Sequence, residues 1–479
     1  MGEEKPNGVA KEQLTWRRVI VQLVILTVLV LFALIYFIVP SCMVKTKTQT
    51  LAAPFPTPSE LHYEPPAPVP AGENGYKLFR RAVTMVPKKP MTTSFDIGWR
   101  AAVERDWVSQ FEVDQFLELL KPAWELADRA LTLPRWQCPI PESASVAKGE
   151  SARIQPLSPD ALVLMTQGRM IHAKRLIAEG RDDAALGEAM RVIELGRRLC
   201  NSGGGLVEFV NGVVAEGLGW HIVSQVRDTP NVSTARLKEI ATLLPDSDAS
   251  NRALEAALRV GFHLVTVNEL EAPSTRSSWL FDPNETKRRI AGDFLVEMKN
   301  VDAAFLARDR SVSRKLIEVN REVRELKSDL DRFEETDWIA SWRLARIPNA
   351  YGKWLEYIAA PVLSDRGEIM RRFHLFWANA GPALAAAVVY RREHGELPES
   401  LQTLVDAKLL SRVPTDPFDL KTLRYSRQKG RIWSVGVDGV DNAGEAVGGE
   451  GAAEEFAGDI VAMIPEAPKK ETEKPEATK

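Results

Sequence analysis

Six histidines, three cysteines and a few adjacent carboxylates are the side chains with which this chain could do chemistry. His62, His172, His221, His263, His374 and His394 stand apart, and none falls in the HExxH or HxH spacing that brings two imidazoles to one metal. No GxSxG elbow presents a serine nucleophile. Cys138 and Cys200 could each face a distant histidine or, in an exported domain, pair with each other, and the sequence leaves both open. Gly203-Gly204-Gly205 opens a helix as phosphate loops do, but no Lys-Ser or Lys-Thr follows, so the run reads as an inter-helix turn. Asp182-Asp183 and Glu334-Glu335 are paired carboxylates, yet adjacent helical residues face different ways and make poor acid/base partners. No catalytic residue is assigned. What remains is a set of aspartates, Asp438, Asp441 and Asp459, spaced among Gly436, Gly439 and Gly444 near the C-terminal end.

Composition narrows the function classes. The chain has 479 residues, 62 basic and 65 acidic side chains, and a net charge of −3. That balance argues against nucleic-acid binding driven by counterion release. Three cysteines without a CxxC pair exclude a disulfide-rich scaffold. Hydrophobic residues at 45% supply ample material for a core.

The strongest segment signal is Val19 to Val39, uncharged, with Gln22 and Thr27 its only clearly polar residues. At 1.5 Å per residue it reaches about 31 Å, enough to cross the hydrocarbon of a bilayer. Lys5, Lys11, Arg17 and Arg18 precede it and Lys45 and Lys47 follow, which places the N-terminus inside and the bulk of the chain outside the cytoplasm. A cleaved signal peptide is the rival reading, although its apolar region is normally shorter. The proline-rich run APFPTPSELHYEPPAPVPA, residues 53 to 71, predicts an extended, semi-rigid spacer that lifts the next domain off the membrane.

From Asn74 to about Asn379 the apolar spacing is helical. Phe111–Leu131, Ala161–Ala178, Ala184–Leu199, Val207–Val226 and Ala253–Leu270 read as helices, and 273–286 as a loop. The stretch around Gly180 resembles one tetratricopeptide-type hairpin, with Ala173, Ala185 and Ala189 permitting close approach; an irregular bundle is the alternative. Val312, Leu316, Val319, Val323, Leu326, Leu330 and Phe333 step alternately by four and three, a heptad seam. That seam predicts either a homodimer through Val312–Phe333 or an internal hairpin with the segment after Trp338. Trp338, Trp342, Trp354 and Trp377 are expected in the core.

At Gly395 the pattern changes to turns and short strands. Leu397–Leu404 predicts a short helix, Pro414–Pro417 a turn, Leu423–Ser426 and Ile432–Val435 a hairpin, and Asp459–Ile464 a last strand. The ordered motifs G-x-L-P-x-S-L from Gly395, V-P-x-D-P-F from Val413, L-x-Y from Leu423, W-S-V-G-x-D-G from Trp433 and G-D-I from Gly458 resemble the C-terminal half of the major pseudopilin of type II secretion systems. The resemblance implies a small α+β module, a bacterial inner-membrane setting and a structural calcium ion in the loop between the aspartates. Asp438 and Asp459 sit in the matching motifs; Asp441 is added because calcium takes six to eight oxygens. The insert between Asp438 and Asp459 is longer than is usual in that family, and Glu445, Glu450, Glu454 and Glu455 within it are competing ligands. Val19 onward lacks the pseudopilin leader and early glutamate, so a polymerising pilus subunit is not expected.

The expected organisation is therefore a cytoplasmic stretch at 1–18, a transmembrane helix at 19–39, a linker at 40–73, a helical domain at 74–379, the pseudopilin-like α+β module at 380–465 and a disordered tail at 466–479. The expected fold is mainly α with that small module at its end. Three functions fit: a membrane-anchored extracytoplasmic interaction or scaffold protein, an accessory component of a secretion or pilus-like assembly, and an envelope hydrolase with an unrecognised site in the helical domain.

Overall fold

A computed structural model describes residues 55–87, 110–140, 157–226, 231–246, 248–270, 279–334, 337–360, 365–445 and 458–464, with Thr27, Val39 and Cys42. Of the apolar segment at 19–39, Thr27 and Val39 are helical and exposed, and the rest of it lies outside the described residues, as do the tail and the insert at 446–457. The protein is mainly helical, with one small three-stranded antiparallel sheet near its C-terminal end.

The chain divides into two compact units. The first comprises 1–58, 265–293 and 311–360, and the second 59–264, 294–310 and 361–479. This differs from the expected division, because the boundary placed at 379/380 falls inside one continuous helix, Asp365–His394.

In the second unit, α1 (Gly75–Met85), α2 (Gln110–Leu131) and the start of α3 (Pro159–Ala178) enclose one core around Tyr76, Phe79, Phe116 and Leu120. Asn74 caps α1 by accepting the Tyr76 N–H, and Ser158 caps α3 through the Ala161 N–H, so each satisfies an otherwise unpaired donor. A second core joins α3, α4 (Asp182–Cys200), α5 (Leu206–Val226), α6 (Thr234–Ala241), α12 (Asp365–His394) and the C-terminal sheet. Its buried Leu, Ile and Phe side chains each contribute roughly 1.5–3 kcal/mol. Ala173, Ala185 and Ala189 are fully buried at the α3–α4 hairpin, where small side chains were expected to let helices close.

The α4–α5 contact is tighter still. A Cβ at Gly196 would stand 2.5 Å from the Glu216 backbone nitrogen, and one at Gly212 2.6 Å from the Gly196 carbonyl. Only glycine lets the two backbones touch there. Within α5, Leu206–Ser224 is long and apolar enough to cross a membrane, yet half of it is buried. Phe209, Ala215, Trp220, Ile222 and Val223 face α3, α4 and α12, so its apolarity is that of a central core helix.

Helix α12 is the spine of this core. Ala383 to Val389 are all buried, and the sheet and the short helix α13 (Leu401–Asp406) pack on it. Ser400 and Thr403 form a capping box at the start of α13. The described part of the proline-rich run contains a short 3-10 helix at Ser59–Leu61 and is tied down by side chains. In the second unit Leu61 is buried, Arg259 donates to the Glu60 carbonyl, and the Gln137 side chain bonds Pro66, Ala67 and Val69 backbone groups. Proline's missing N–H groups leave carbonyls that these side chains satisfy.

The first unit contains α9 (Ser311–Glu334), α10 (Trp338–Leu344) and α11 (Ala350–Ala359). Val312, Val323 and Leu326 of the heptad seam are buried, and α9 packs on α10 and α11 of its own unit. Burial of these residues thus needs no second chain. Asp337 caps α10 through the Ile339 and Ala340 N–H groups. Trp342, Trp354 and Trp377 are half-buried rather than core residues, and Arg346 lies over the Trp342 ring. The loop expected at 273–286 is shorter: α8 (Pro283–Asn300) begins at Pro283, a residue pre-set for a first helical turn.

Candidate metal centre

The site begins with sheet register. β1 (Arg424–Ser426) pairs with β2 (Arg431–Ser434), and β2 with β3 (Ile460–Met463), both antiparallel. Ser434 stands opposite Ile460, so the chain leaving β2 starts beside the chain entering β3. Asp438 and Asp441 follow β2, and Asp459 directly precedes β3. Two positions separated by 21 residues thus meet at one end of the sheet. Gly436 has φ 63° and Gly458 φ 84°, and a Cβ at Gly436 would be 2.1 Å from the Gly458 carbonyl oxygen. Glycine is required for that crossing.

Each aspartate is already part of a turn. Asp438 Oδ1 accepts the Val440 N–H at 3.0 Å. Asp441 Oδ1 accepts the Ala443 N–H and the Trp433 indole N–H, both at 2.9 Å. Asp459 Oδ2 accepts the Gly444 N–H at 2.7 Å. Asp438 and Asp441 are exposed, whereas Asp459 is only 4% exposed. Its Oδ1 is buried with no hydrogen-bond partner among the described residues. Burial raises the Asp459 pKa, two backbone N–H groups pull it down, and the charges of Asp441 and Asp438 push it up again. Among the described residues no three His, Cys, Asp or Glu side chains converge into a cage. Two exposed carboxylates, one orphaned buried oxygen and a glycine-rich backbone suit calcium, which completes its shell with carbonyls and water.

Glu445, one of the competing ligands, is engaged elsewhere: it accepts from Lys429 and Arg431, both at 3.1 Å. Glu450, Glu454 and Glu455 lie outside the described residues. The sequence reading missed Asp416. This residue of the V-P-x-D-P-F motif read as turn chemistry only. It is fully buried, and its carboxylate accepts from Ser434 Oγ at 2.7 Å, Val435 N at 3.0 Å, Phe418 N at 2.9 Å and Arg424 Nη1 at 2.6 Å. It ties the end of β2, where the acidic loop begins, to β1. The signal was available: an aspartate between two prolines can reach N–H groups that proline cannot offer.

The histidines and cysteines form no such constellation. Cys138 and Cys200 are free thiols, and burial pushes Cys138 up to about 12 and Cys200 upward as well. Neither is a poised thiolate. Asp183 accepts the Ser233 N–H at 2.9 Å, a structural role.

No known protein family, curated protein or solved structure matches this chain.

Proposed function

We propose that this is a single-pass, membrane-anchored protein whose extracytoplasmic helical body serves as an interaction scaffold, and whose pseudopilin-like C-terminal module is held by calcium through Asp438, Asp441 and Asp459. The observation that carries the calcium reading is the buried Asp459 Oδ1, without a hydrogen-bond partner among the described residues and under the influence of the Asp441 and Asp438 charges. An orphaned buried acceptor costs about 1–3 kcal/mol, and more when it is charged. A divalent cation supplies the missing partner and removes the repulsion. The anchor rests on the uncharged run at 19–39 and on the positive charge before it.

Bound calcium would be structural: it orders the loop and fixes β3 against β2. The test is the thermal midpoint of the full-length chain in detergent, with calcium and with chelator. Calcium at a hundredfold excess over Kd should add about 2.7 kcal/mol. The rise should vanish in Asp459→Asn. An unchanged midpoint, with no calcium retained on metal analysis, would overturn the calcium reading. Protease protection in sealed inverted vesicles tests the orientation: the region after residue 42 should be shielded.

A further inference from the structure

Both units bury charge, and each closes it differently. In the second unit Arg308, Arg371 and Arg372 are 8%, 3% and 1% exposed. Glu368 accepts from Arg371 Nη2 at 2.8 Å and from Arg372 Nε at 2.7 Å, and Glu297 accepts from Arg308 Nη2 at 3.1 Å. The void beside this arginine cluster is lined by Leu254 and Leu258 of α7 (Ala249–Val265) together with Glu297, Arg308, Glu368 and Arg371. At about 10 Å³ it has room for one water and for no organic guest.

The first unit instead arranges charge around an open cavity of about 350 Å³. Small-molecule sites span about 300–1,000 Å³, so this one fits a single small guest. Val323 and Leu326 of α9, Ile347 of the turn after α10 and Tyr357 of α11 give it an apolar wall. Lys315 donates to the buried Glu356 and, at 3.1 Å, to Asp293. Arg289 pairs with Glu285 at 2.5 Å and stands 3.8 Å from Glu356. These ion pairs join α8, α9 and α11 around the space. Arg346 lies over the Trp342 ring. Lys353 and Glu322 also line the cavity, and neither side chain has an ion-pair or hydrogen-bond partner among the described residues. They stand on different helices, α11 and α9, and do not pair with each other. Once Glu285 and Asp293 behind the lining are included, four cations and four carboxylates surround the space, which therefore carries no net charge.

We propose that this cavity binds a free α-amino acid with a large apolar side chain, its carboxylate on Lys353, its ammonium on Glu322 and its side chain against Val323, Leu326, Ile347 and Tyr357. The two uncommitted groups of opposite sign match a guest that carries both signs, and each gains a charge-assisted hydrogen bond from it. The balance of the surrounding charges selects against a net anion or a net cation, because either would leave one sign unanswered. The apolar wall rewards a side chain that glycine does not have. Entry needs no unfolding, since Glu322 is exposed and Lys353 only half-buried. A zwitterionic lipid headgroup shares the polar half of this chemistry, and the experiment separates the two sources.

The experiment is calorimetric titration of the full-length chain, in a non-ionic detergent, with L-phenylalanine and L-leucine. Four further probes each remove one feature: 3-phenylpropanoate lacks the ammonium, phenethylamine the carboxylate and glycine the apolar body, while dihexanoylphosphatidylethanolamine presents the lipid headgroup. Phenylalanine or leucine should bind at least about tenfold more tightly than each of the four. Lys353→Gln should weaken phenylalanine about tenfold and leave phenethylamine unchanged. Glu322→Gln should weaken phenylalanine about tenfold and leave 3-phenylpropanoate unchanged. Neither position is buried, so both variants keep the fold. Absence of binding by both amino acids would overturn the proposal. So would any of the four probes binding as tightly as they do, or phenylalanine affinity unchanged in either variant.

Discussion

The acidic loop and the arginine cluster are opposite solutions to buried charge in the same unit. At the loop, burial raises the Asp459 pKa, and the charges of Asp441 and Asp438 add to the rise. At the cluster, burial alone would raise Glu368, but Arg371, Arg372 and Arg308 outweigh it and hold its carboxyl at about 2. The signs of their linkage to pH are therefore opposite. A raised carboxyl binds its proton more tightly in the folded state. Its contribution is complete below the unfolded value, about 4, and is lost as pH rises through the folded value. A depressed carboxyl contributes fully above its unfolded value, about 4.5, and that contribution is lost as pH falls toward 2. Acid should relieve the loop and dismantle the cluster.

The sharpest way to break the comparison is Glu368→Gln. Removing the carboxylate shared by two buried arginines should cost about 3–5 kcal/mol in urea unfolding. It should also flatten the loss of stability between about pH 4.5 and 2. A cost below 1 kcal/mol would mean that the arginines do not depend on it. Next is Asp416→Ala, which strips four donors of a buried acceptor beside the loop. A cost of about 3 kcal/mol is expected, together with weaker calcium stabilisation, because β2 loses its tie to β1. Asp459→Asn sharpens the contrast. With chelator at neutral pH it should stabilise by about 1 kcal/mol, since the repelled charge is gone, while the calcium response of about 2.7 kcal/mol disappears. Its chelated stability should also stop falling as pH rises above the ordinary aspartate value of about 4. Gly212→Ala, remote from both sites, should cost about 1–3 kcal/mol through the α4–α5 contact and leave both pH responses intact. Ser400→Ala is the smallest, about 1 kcal/mol from a lost cap.

How legible these regions were follows from how they are built. Most helices were readable because 3.6-residue periodicity is written locally, as in Phe111–Leu131 against the observed Gln110–Leu131. The sheet was readable to within one or two residues, because glycines and prolines bound its strands. The acidic loop was readable as a set of residue types, since its three aspartates lie within 22 positions. What the sequence could not show was which one would be buried; only the strand register turns Asp459 inward. The cluster was invisible. Arg308 and Arg371 are 63 positions apart, and each looks like an ordinary helix-surface cation until the fold covers both. The expected boundary at 379/380 falls inside one continuous helix for a related reason. A change in composition at Gly395 marks a change of element type, whereas the hydrophobic core runs through it.

That continuous core imposes an order on biosynthesis. The same cluster holds Met170, in the first half of the sequence, and Ile460, Ala462 and Ile464 near its C-terminal end. An intermediate lacking β3 cannot complete it, so the part of α12 that packs on the sheet stays uncovered until nearly the whole chain has been made. The core of this unit therefore locks only when its last strand arrives.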